Sequence, residues 1–301
     1  MTLSFWKMSG SGNDFIVIDH RKPLIPDADI KHFVTKVCRR GLSVGADGVI
    51  LIEPSKTAAY AWRFFNADGS EADMCGNGGR CAAAFAYANG IAGAEHAFET
   101  RAGLISVRLL DGGGVRVGLP PPSDMRLNLS IEIAGTRYEG HFINTGVPHV
   151  VLFTGARVAP LAQIGGLENL PATSVGARSG SPCAAPVGVV GLGRAIRHHP
   201  LFAPNGANVN FVQVCDARTL EIRTYERGVE DETLACGTGS VAATLLAMAL
   251  GKVTPPVLLH TRGQIALTVG CKQTDGTFSD VFLEGDARLI YKGEMQEAAW
   301  Q

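Results

Sequence analysis

Two cysteines, Cys75 and Cys236, lie in two copies of one short passage that are 161 residues apart. Aligned without a gap, residues 71–90 and 232–251 share eight of twenty residues, including both cysteines and two of the glycines that follow each. A repeat of this kind predicts two structural units of the same design. Because the cysteine is kept in both copies while most of its neighbours differ, we interpret the two thiols as sharing one chemical task.

Each cysteine lies just ahead of a predicted helix, and this position has chemical consequences. A thiolate is the reactive form of cysteine, and a helix N-terminus stabilises it. The glycines behind each cysteine leave backbone N–H groups uncovered, which can hold an anion such as a carboxylate. Two such halves facing each other would aim two thiols at one α-carbon. One thiolate would remove the α-proton and the other thiol would deliver a proton to the opposite face, so the stereocentre would invert without a cofactor.

Three other interpretations of these passages stay open. A cysteine followed by glycine is usually structural, and the duplication could reflect only the common ancestry of two scaffolding halves. A glycine-rich loop can also bind a nucleotide, but neither copy has the Gly-x-Gly-x-x-Gly or Gly-Lys-Ser/Thr pattern. A non-catalytic amino-acid-binding or redox-sensing protein could form a disulfide from its paired thiols. Such a protein would not exchange the α-proton of its ligand with solvent.

The elements that must position the cysteines are predicted to be a strand, a loop and a helix in each copy. Alanine-rich helices are expected over about Gly79–Asn89 and Ser240–Leu250, each followed by the glycine that commonly ends a helix. Many strands with few helices predict an α+β fold. Apolar or alternating runs predict strands at Phe15–Asp19, Val49–Ile52, Tyr60–Phe65, Ile105–Leu110, Val115–Leu119, His149–Phe153, Asn210–Val214, Leu220–Tyr225, Ile265–Val269 and Val281–Leu283.

The chain of 301 residues is long enough for two domains of ordinary size. The run Pro120-Pro121-Pro122 is the best candidate for a linker between them. Residues 154–195 are rich in glycine, alanine, proline and serine. We expect the middle of that stretch to form a surface excursion, with Cys183 as an exposed bystander.

Composition excludes several classes of protein. A net charge of −1 without blocks of like charge argues against nucleic acid or an anionic membrane as a partner. No apolar run is long enough to span a bilayer, and the first residues lack the features of a secretion signal. The seven cysteines are an odd number without a Cys-x-x-Cys pair, which argues against a disulfide framework and a zinc site. We therefore expect a cytoplasmic protein with free thiols.

The segments around the two cysteines resemble the active-site motifs of the diaminopimelate epimerase family. The first runs from Phe65-Asn66-Ala67-Asp68-Gly69-Ser70-Glu71 to Cys75-Gly76-Asn77-Gly78. The second comprises Tyr225-Glu226-Arg227-Gly228, Glu232-Thr233 and Ala235-Cys236-Gly237-Thr238-Gly239. Further matches are Lys7-Met8-Ser9-Gly10, Gly12-Asn13-Asp14-Phe15, Gly45-Ala46-Asp47-Gly48, Pro148-His149, Asn208-Val209-Asn210-Phe211, Gly285-Asp286-Ala287 and Ile290-Tyr291. The resemblance covers nearly the whole chain in order.

The resemblance implies an epimerase that interconverts L,L- and meso-diaminopimelate, for lysine and peptidoglycan precursors, without pyridoxal phosphate or another cofactor. It also implies two pseudo-symmetric domains, each a mixed β-sheet wrapped around a central helix. The N-terminal domain would comprise 1–121 plus 284–301 and carry Cys75. The C-terminal domain would comprise 122–283 and carry Cys236. We expect diaminopimelate as the small-molecule partner and a homodimer as the assembly.

The resemblance also implies a role for individual residues. Cys75 and Cys236 would be the acid–base pair, and no residue would bind a metal. Arg227 suits the second carboxylate of a diacid, because a guanidinium binds a carboxylate through two hydrogen bonds. Glu226 and His149 would orient the substrate and the thiols. The other expected substrate contacts are the backbone N–H groups of Gly76, Asn77, Gly237 and Thr238 and the side chains of Asn13, Asn66 and Asn210.

Three local features depart from this pattern or compete with it. The family often has asparagine where this chain has Val147, so a polar contact to the far end of the substrate could come instead from Asn144 or Asn208. The excursion within 154–195 looks longer than the family usually carries. The adjacent His198 and His199 suggest a metal site only superficially, because neighbouring side chains point apart.

Related two-cysteine and like-folded enzymes are the rival interpretations. Proline racemase and hydroxyproline epimerase typically have histidine after Cys-Gly, where this chain has Asn77, and they need no arginine for a second carboxylate. Phenazine-pathway isomerases place a carboxylic acid where this chain has Cys75. These residues therefore favour diaminopimelate as the substrate.

Overall fold

The computed structural model describes residues 2–154 and 188–301, which form two compact units. The first unit comprises Met1–Pro121 and Leu267–Gln301, and the second comprises Pro122–Ala266. The chain thus returns to the first unit earlier than the expected position 284. The reason is a hairpin over residues 266–286, whose second strand pairs with Gly114–Gly118 of the first unit. Cys183 and most of the predicted excursion lie outside the described residues.

The described residues form eighteen strands and four α-helices. The helices are α1 (Ile30–Val37), α2 (Gly76–Ala88), α3 (Val189–Arg197) and α4 (Gly237–Ala249). The strands are β1 (Thr2–Gly10), β2 (Asn13–Asp19), β3 (Gly48–Glu53), β4 (Tyr60–Asn66), β5 (Glu71–Ala72), β6 (Glu95–Thr100), β7 (Gly103–Leu109), β8 (Gly114–Gly118), β9 (Ser123–Ile133), β10 (Thr136–Asn144), β11 (Pro148–Phe153), β12 (Asn208–Asp216), β13 (Thr219–Glu226), β14 (Asp231–Thr233), β15 (Val257–Thr261), β16 (Ala266–Thr274), β17 (Thr277–Asp286) and β18 (Arg288–Gln296).

The first unit is built on a mixed sheet. Strand β2 runs parallel to β3, which runs antiparallel to β4. Strand β4 pairs antiparallel with the short β5 and parallel with β6. Beyond β2 the sheet continues with antiparallel pairs to β1 and then β18. Beyond β6 it continues with antiparallel pairs to β7, β8, β17 and β16 in that order. The last strand of the chain therefore pairs with the first.

The second unit repeats the central pattern of the first. Strand β11 runs parallel to β12, β12 runs antiparallel to β13, and β13 pairs antiparallel with the short β14 and parallel with β15. Strands β9 and β10 extend this sheet antiparallel from β11. The same order of parallel and antiparallel pairs in both units confirms that the sequence repeat marks two copies of one fold. The protein is a two-domain α+β protein.

One buried helix follows the short strand in each unit. Ten of the 13 residues of α2 and 11 of the 13 residues of α4 are buried. A helix that is buried on nearly all sides needs small or apolar residues around its whole circumference, and alanine and glycine provide them. Helix α2 contacts β1, β2, β3, β7, β8 and β17, and α4 contacts β10, β11, β12 and β13. Each sheet thus surrounds its own central helix.

An outer helix covers another face of each sheet. Helix α1 buries Ile30, Phe33, Val34 and Val37, which follow the spacing of one helical face. These four side chains belong to a cluster of apolar residues that also includes side chains of β1, β2 and β3. Helix α3 buries residues at the same spacing against side chains of β10, β11 and β12. The outer helices therefore close the cores on which the site residues rest.

Both central helices begin three residues earlier than the sequence predicts, at Gly76 and Gly237. The glycines after each cysteine are the first turn of the helix and not a separate loop. Packing explains them: a Cβ at Gly78 would lie 3.3 Å from Ile50, and one at Gly79 would lie 3.3 Å from Met74. The glycines therefore let each helix N-terminus pack closely against its own unit.

Membrane-spanning helices were also sought in the structure. Across residues 2–154 and 188–301, no helix has both the length and the apolar character that crossing a bilayer requires.

Candidate active site

Cys75 is the residue that caps the N-terminus of α2. Its backbone is extended, with φ −144° and ψ 115°, and its Sγ accepts a hydrogen bond from the Gly78 N–H at 3.4 Å. The first intrahelical bond runs from the Gly79 N–H to the Cys75 carbonyl at 2.8 Å. The N–H groups of Gly76 and Asn77 come before that bond and have no intrahelical acceptor. The partly exposed thiol thus lies beside two N–H groups suited to an anion.

The side chain of Asn77 turns back from this helix to β2. Its Nδ2 donates to Asn13 Oδ1 at 2.5 Å, and Asn13 Nδ2 donates to Asp47 Oδ2 at 3.1 Å. The structure therefore brings together Cys75, Asn77 and Asn13, three of the residues that the sequence assigned to the site. It adds Asp47, which holds the Asn13 amide in one orientation.

A charged cluster lies behind Asn13. Asp14 accepts from Arg40 and forms an ion pair with Lys7 at 2.7 Å, and Arg40 also bridges to Asp47 at 2.8 Å. Burial raises the pKa of Asp14, but the hydrogen bonds from Arg40 and Lys7 outweigh it and lower the pKa to about 2. Asp14 is therefore ionised at neutral pH, and its contacts hold the segment that carries Asn13.

Asn66 lies at the exposed end of β4. Its Nδ2 donates to the Ser70 hydroxyl at 3.0 Å, and its backbone N–H donates to the Ser70 carbonyl at 2.9 Å. These bonds close the turn that leads to β5. No hydrogen bond described for the first unit joins Asn66 to Asn13 or Asn77, so its contact with substrate stays a prediction.

Cys236 occupies the N-cap position of α4, as Cys75 does in α2. Its backbone is extended, with φ −125° and ψ 110°, and the first intrahelical bond runs from the Ser240 N–H to its carbonyl at 2.9 Å. Its Sγ lies 3.5 Å from the Thr238 hydroxyl, and Cys236 is 8% exposed. The Thr145 hydroxyl donates to the Thr238 carbonyl at 3.0 Å and ties this turn to the sheet. The N–H groups of Gly237 and Thr238 precede the first intrahelical bond and have no acceptor within the helix.

A fully buried chain of side chains supports the Cys236 turn. Asn210 Nδ2 lies 3.1 Å from His149 Nδ1 and donates to the Val150 carbonyl at 3.1 Å, while Asn210 Oδ1 accepts from the Thr224 hydroxyl at 2.9 Å. Because the amide donates, His149 Nδ1 accepts, and the proton of the neutral ring lies on Nε2. A Cβ at Gly239 would meet Asn210 Oδ1, so the helix turn packs directly on this chain.

His149 is 0% exposed, and its Nε2 has no hydrogen-bond partner among the described residues. Burial, and secondarily the positive charge of Arg227, lower the pKa of His149 to about 3. The ring is therefore neutral at physiological pH. An N–H donor that is buried and without a partner is suited to an acceptor that arrives with a ligand.

The amide of Asn210 already bonds to His149, Val150 and Thr224, and the residue is 0% exposed. Direct contact between Asn210 and substrate stays a prediction. The neighbouring Asn208 accepts from the Arg227 N–H at 2.8 Å and donates to the Pro148 carbonyl at 3.3 Å. It thereby fixes the backbone that carries Arg227.

Glu226 and Arg227 are partly exposed at the end of β13. The backbone of Glu226 pairs with Asp231 of β14, and Gly228 follows with φ 92°, a value that favours glycine. The two charged side chains are thus carried by a sharply turned segment of the second unit. Their charges suit an amino group and a carboxylate respectively.

The remaining sequence expectations have mixed outcomes. Asn144 Oδ1 accepts from the Gly146 N–H at 3.0 Å, so part of its amide is used in the turn before Val147. His199 Nδ1 accepts from the Leu201 N–H at 3.2 Å and caps the short 3-10 helix Pro200–Phe202. Within residues 2–154 and 188–301, no cluster of three or more His, Cys, Asp or Glu side chains could hold a metal.

Sequence reasoning missed the residues that hold the others in place. Asp47 and Asp286 lie in matched motifs but received no role, and Thr224, Thr145 and Arg80 were not singled out. Thr224 and Thr145 carry no local signal, because only strand pairing and helix packing bring them to the site.

The chain is similar to known proteins along most of its length. The diaminopimelate epimerase family model matches residues 5–123 and 184–290. A relative named diaminopimelate epimerase from Hydrogenobaculum sp. (strain Y04AAS1) is 42% identical, over 95% of this chain and 96% of the relative. One of the same name from Aquifex aeolicus (strain VF5) is 41% identical over 98% of each chain.

Solved structures with low sequence identity share the fold. A probable proline racemase from Agrobacterium radiobacter K84 matches with a TM-score of 0.67 at 18% identity, over 98% of this chain and 93% of that one. A phenazine biosynthesis protein of the PhzF family from Bacillus anthracis matches with a TM-score of 0.68 at 13% identity, over 98% and 99%. These likenesses concern the fold alone, whereas the family model and the two relatives match along nearly the whole sequence. The chain belongs to the diaminopimelate epimerase family.

Proposed function

We propose that this chain interconverts L,L-diaminopimelate and meso-diaminopimelate, with Cys75 and Cys236 as the two acid–base groups. The observation that supports this most directly is the placement of each cysteine as the cap of a buried helix in one of two repeated units. Structural cysteines need not recur at the same special position. A reaction that treats two faces of one carbon alike does need two such groups.

The proposed chemistry is a transfer of protons without any change in oxidation state. One thiolate takes the α-proton and becomes a thiol, and the electron pair of the broken C–H bond stays on the α-carbon. The other thiol gives its proton to that carbon from the opposite face and becomes a thiolate. The stereocentre is inverted, and each turnover exchanges the protonation states of the two sulfurs.

The charge that builds up during proton removal must be stabilised. The N–H groups of Gly76, Asn77, Gly237 and Thr238 are helix N-terminal donors, which favour a carboxylate. Fixed donors of this kind act on the developing negative charge without having to reorganise. The neutral His149 would add one more N–H donor from Nε2.

The far end of the substrate needs recognition of its own, because diaminopimelate carries a second amino group and a second carboxylate. We assign the distal carboxylate to Arg227, and the amino groups to polar side chains that include Asn13, Asn66 and Glu226. A guanidinium binds a carboxylate bidentately and so fixes its orientation. This assignment separates diaminopimelate from amino acids that have one carboxylate.

Turnover in heavy water tests the proposal. Incubation of the protein with L,L-diaminopimelate in deuterium oxide should give meso product with one deuterium at the inverted α-carbon, detected by mass spectrometry. The Cys75→Ala/Cys236→Ala double variant is the control and should incorporate none. Binding of the substrate without deuterium incorporation by the unmodified protein would instead support the non-catalytic binding protein.

We also propose a homodimer and a cytoplasmic location. Strand β18 pairs with β1 and exposes three consecutive apolar side chains, Leu289, Ile290 and Tyr291, which are suited to contact with a second copy of the chain. Cys38 and Cys81 are buried free thiols, the form in which a reducing compartment keeps cysteines. Sedimentation equilibrium measures the assembly directly. A monomer at micromolar concentration would contradict the dimer.

A further inference from the structure

Arg80 lies on α2, a little more than one turn after Cys75, and is 0% exposed. Its guanidinium donates from Nε to the Asp286 carbonyl at 3.1 Å, from Nη1 to the Gly76 carbonyl at 3.4 Å, and from Nη2 to the Ser11 hydroxyl at 2.6 Å and Asn77 Oδ1 at 2.8 Å. All four acceptors are neutral. Burial lowers the pKa of Arg80, but a guanidinium stays protonated at physiological pH. A buried cation bonded only to neutral groups favours an anion nearby.

Three ionisable groups interact with the Arg80 charge: the thiols of Cys75 and Cys81 and the carboxyl of Asp286. Cys81 is fully buried, and burial raises its pKa far above the ordinary value, so it stays a neutral thiol. Asp286 accepts from the Ser11 N–H at 2.9 Å and pairs with Arg288 at 2.7 Å, and it is linked to Arg80 through the Ser11 hydroxyl, which donates to Asp286 Oδ1 at 3.0 Å. Cys75 directly precedes Gly76, whose carbonyl accepts from Arg80 Nη1 at 3.4 Å, so its partly exposed thiol belongs to the same turn as the buried charge.

We infer that Arg80 is a positioning residue for the first turn of α2. Its buried charge favours the thiolate of Cys75, and its guanidinium fixes the side chain of Asn77 through a hydrogen bond. The inference rests on the proposed function in one respect only, the role of the Cys75 thiolate as a base. Asn77 is held on both sides, by Arg80 at its Oδ1 and by Asn13 at its Nδ2. The same guanidinium therefore couples the charge beside the thiol to the orientation of an expected substrate contact.

Gly285 of β17 lies next to the guanidinium of Arg80. A Cβ at Gly285 would lie 2.7 Å from Leu267 Cδ2 and 3.0 Å from both Cζ and Nε of Arg80, so it would crowd both side chains. Glycine at this position therefore allows β17 to approach the guanidinium closely. The other copy of the repeat has Val241 where the first has Arg80, so the two cysteines differ in this respect.

Alkylation of the thiols tests the inference without any need for turnover. The rate of modification of Cys75 by iodoacetamide, followed by peptide mass spectrometry, should rise with pH to a midpoint set by thiolate formation. In Arg80→Gln this midpoint should move upward by about 1 to 3 pH units for Cys75, the size expected for loss of a nearby opposite charge. Cys236 in the same sample is the internal control and should keep its midpoint.

A second variant separates charge from hydrogen bonding. Arg80→Lys keeps a cation but loses the fork, so the Cys75 midpoint should stay close to that of the unmodified protein while KM rises more than kcat falls. An unchanged Cys75 midpoint in a folded Arg80→Gln protein would overturn the inference. A second comparison needs no variant. The inference would also be overturned if the alkylation midpoint of Cys75 were no lower in the unmodified folded protein than in the urea-unfolded chain. Neither of these two alkylation midpoints depends on epimerisation. A protein without epimerase activity would therefore count against the proposed function alone.

Discussion

The amide nitrogen of Asn210 lies 3.1 Å from Nδ1 of His149, and this contact determines which ring nitrogen of the histidine carries the proton. The two residues are far apart in the chain but meet because β11 and β12 run parallel, with His149 opposite Asn208 and Val151 opposite Asn210. The donor at Nδ1 leaves the proton on Nε2. The pair therefore presents one neutral N–H group from an otherwise buried position.

Replacing Asn210 should change that tautomer. In Asn210→Asp the carboxylate can only accept, so the proton should move to Nδ1 and Nε2 should lose its donor role. We expect kcat to fall by a factor of about 10² or more, with a smaller change in KM. Nitrogen-15 chemical shifts of the His149 ring report the tautomer directly. Thr224→Val, which removes a hydroxyl from the far side of Asn210, is the control and should keep the proton on Nε2.

The buried His149 should also make stability depend on pH. The pKa of His149 in the folded protein, about 3, lies below the ordinary value. At a pH between these two values the unfolded chain binds a proton at this histidine and the folded protein does not. The stability due to the neutral ring is therefore fully present above about pH 6.5 and is lost as the pH falls toward 3. His149→Gln should flatten the dependence of unfolding free energy on pH between about 6 and 4, measured by urea denaturation. Identical slopes in the two proteins would contradict the buried neutral ring.

Each of the two cysteines should be indispensable for epimerisation. Cys75→Ala and Cys236→Ala should each lower kcat by a factor of about 10⁴ or more, because either change removes one of the two proton carriers. Cys→Ser should be nearly as severe, since a hydroxyl is a much weaker acid than a thiol. The exposed Cys215→Ala is the matched control and should leave the rate unchanged. Near-normal turnover in either alanine variant would exclude the two-base mechanism.

Arg227 should decide which substrates are accepted. Removing the partner of a desolvated carboxylate costs about 2–5 kcal/mol, so Arg227→Ala should lower kcat/KM for diaminopimelate by a factor of about 10² or more. Arg218, an exposed arginine of the same unit, provides the control variant Arg218→Ala, which should have little effect. Proline, lysine and glutamate should be poor substrates of the unmodified protein, because none of them has both a second carboxylate and a second amino group at the right reach. If lysine or proline racemised as fast as diaminopimelate, the substrate assignment would be wrong.

Activity should not depend on a metal or on pyridoxal phosphate. The proposed reaction moves only protons, and helix N-terminal N–H groups are expected to stabilise the charge that develops. Dialysis against a chelator and treatment with hydroxylamine should therefore leave kcat unchanged. Loss of activity on treatment, with recovery on adding back a metal or pyridoxal phosphate, would show that the reaction uses a cofactor.

The sequence predicted the parts of the fold that carry local signals. Every predicted strand overlaps an observed one, because alternating or apolar runs bounded by glycine define strands well. Both repeated helices were also found, although their first turns were taken for loops. Helix α1 was missed even though its four buried residues have helical spacing, and α3 was missed because it follows a glycine-rich stretch that hides its start.

The site was predictable only where one short motif carries the chemistry. The cysteines and the glycines beside them can be identified from the repeat alone. The burial of Arg80 cannot, since arginine in an alanine-rich helix usually faces solvent. The link from His149 to Asn210 depends on the register of two strands, and no local pattern specifies that register.

The two thiols have different immediate neighbours: Cys75 Sγ accepts from a backbone N–H, whereas Cys236 Sγ lies beside the Thr238 hydroxyl. An enzyme whose two bases were identical would begin each direction of the reaction with equal ease. Under the proposed two-base mechanism, the unequal neighbours predict that the free enzyme has one preferred protonation form and that each turnover leaves the other form behind. Restoring the preferred form then becomes a kinetic step of its own, which substrate cannot accelerate and which belongs to the free enzyme.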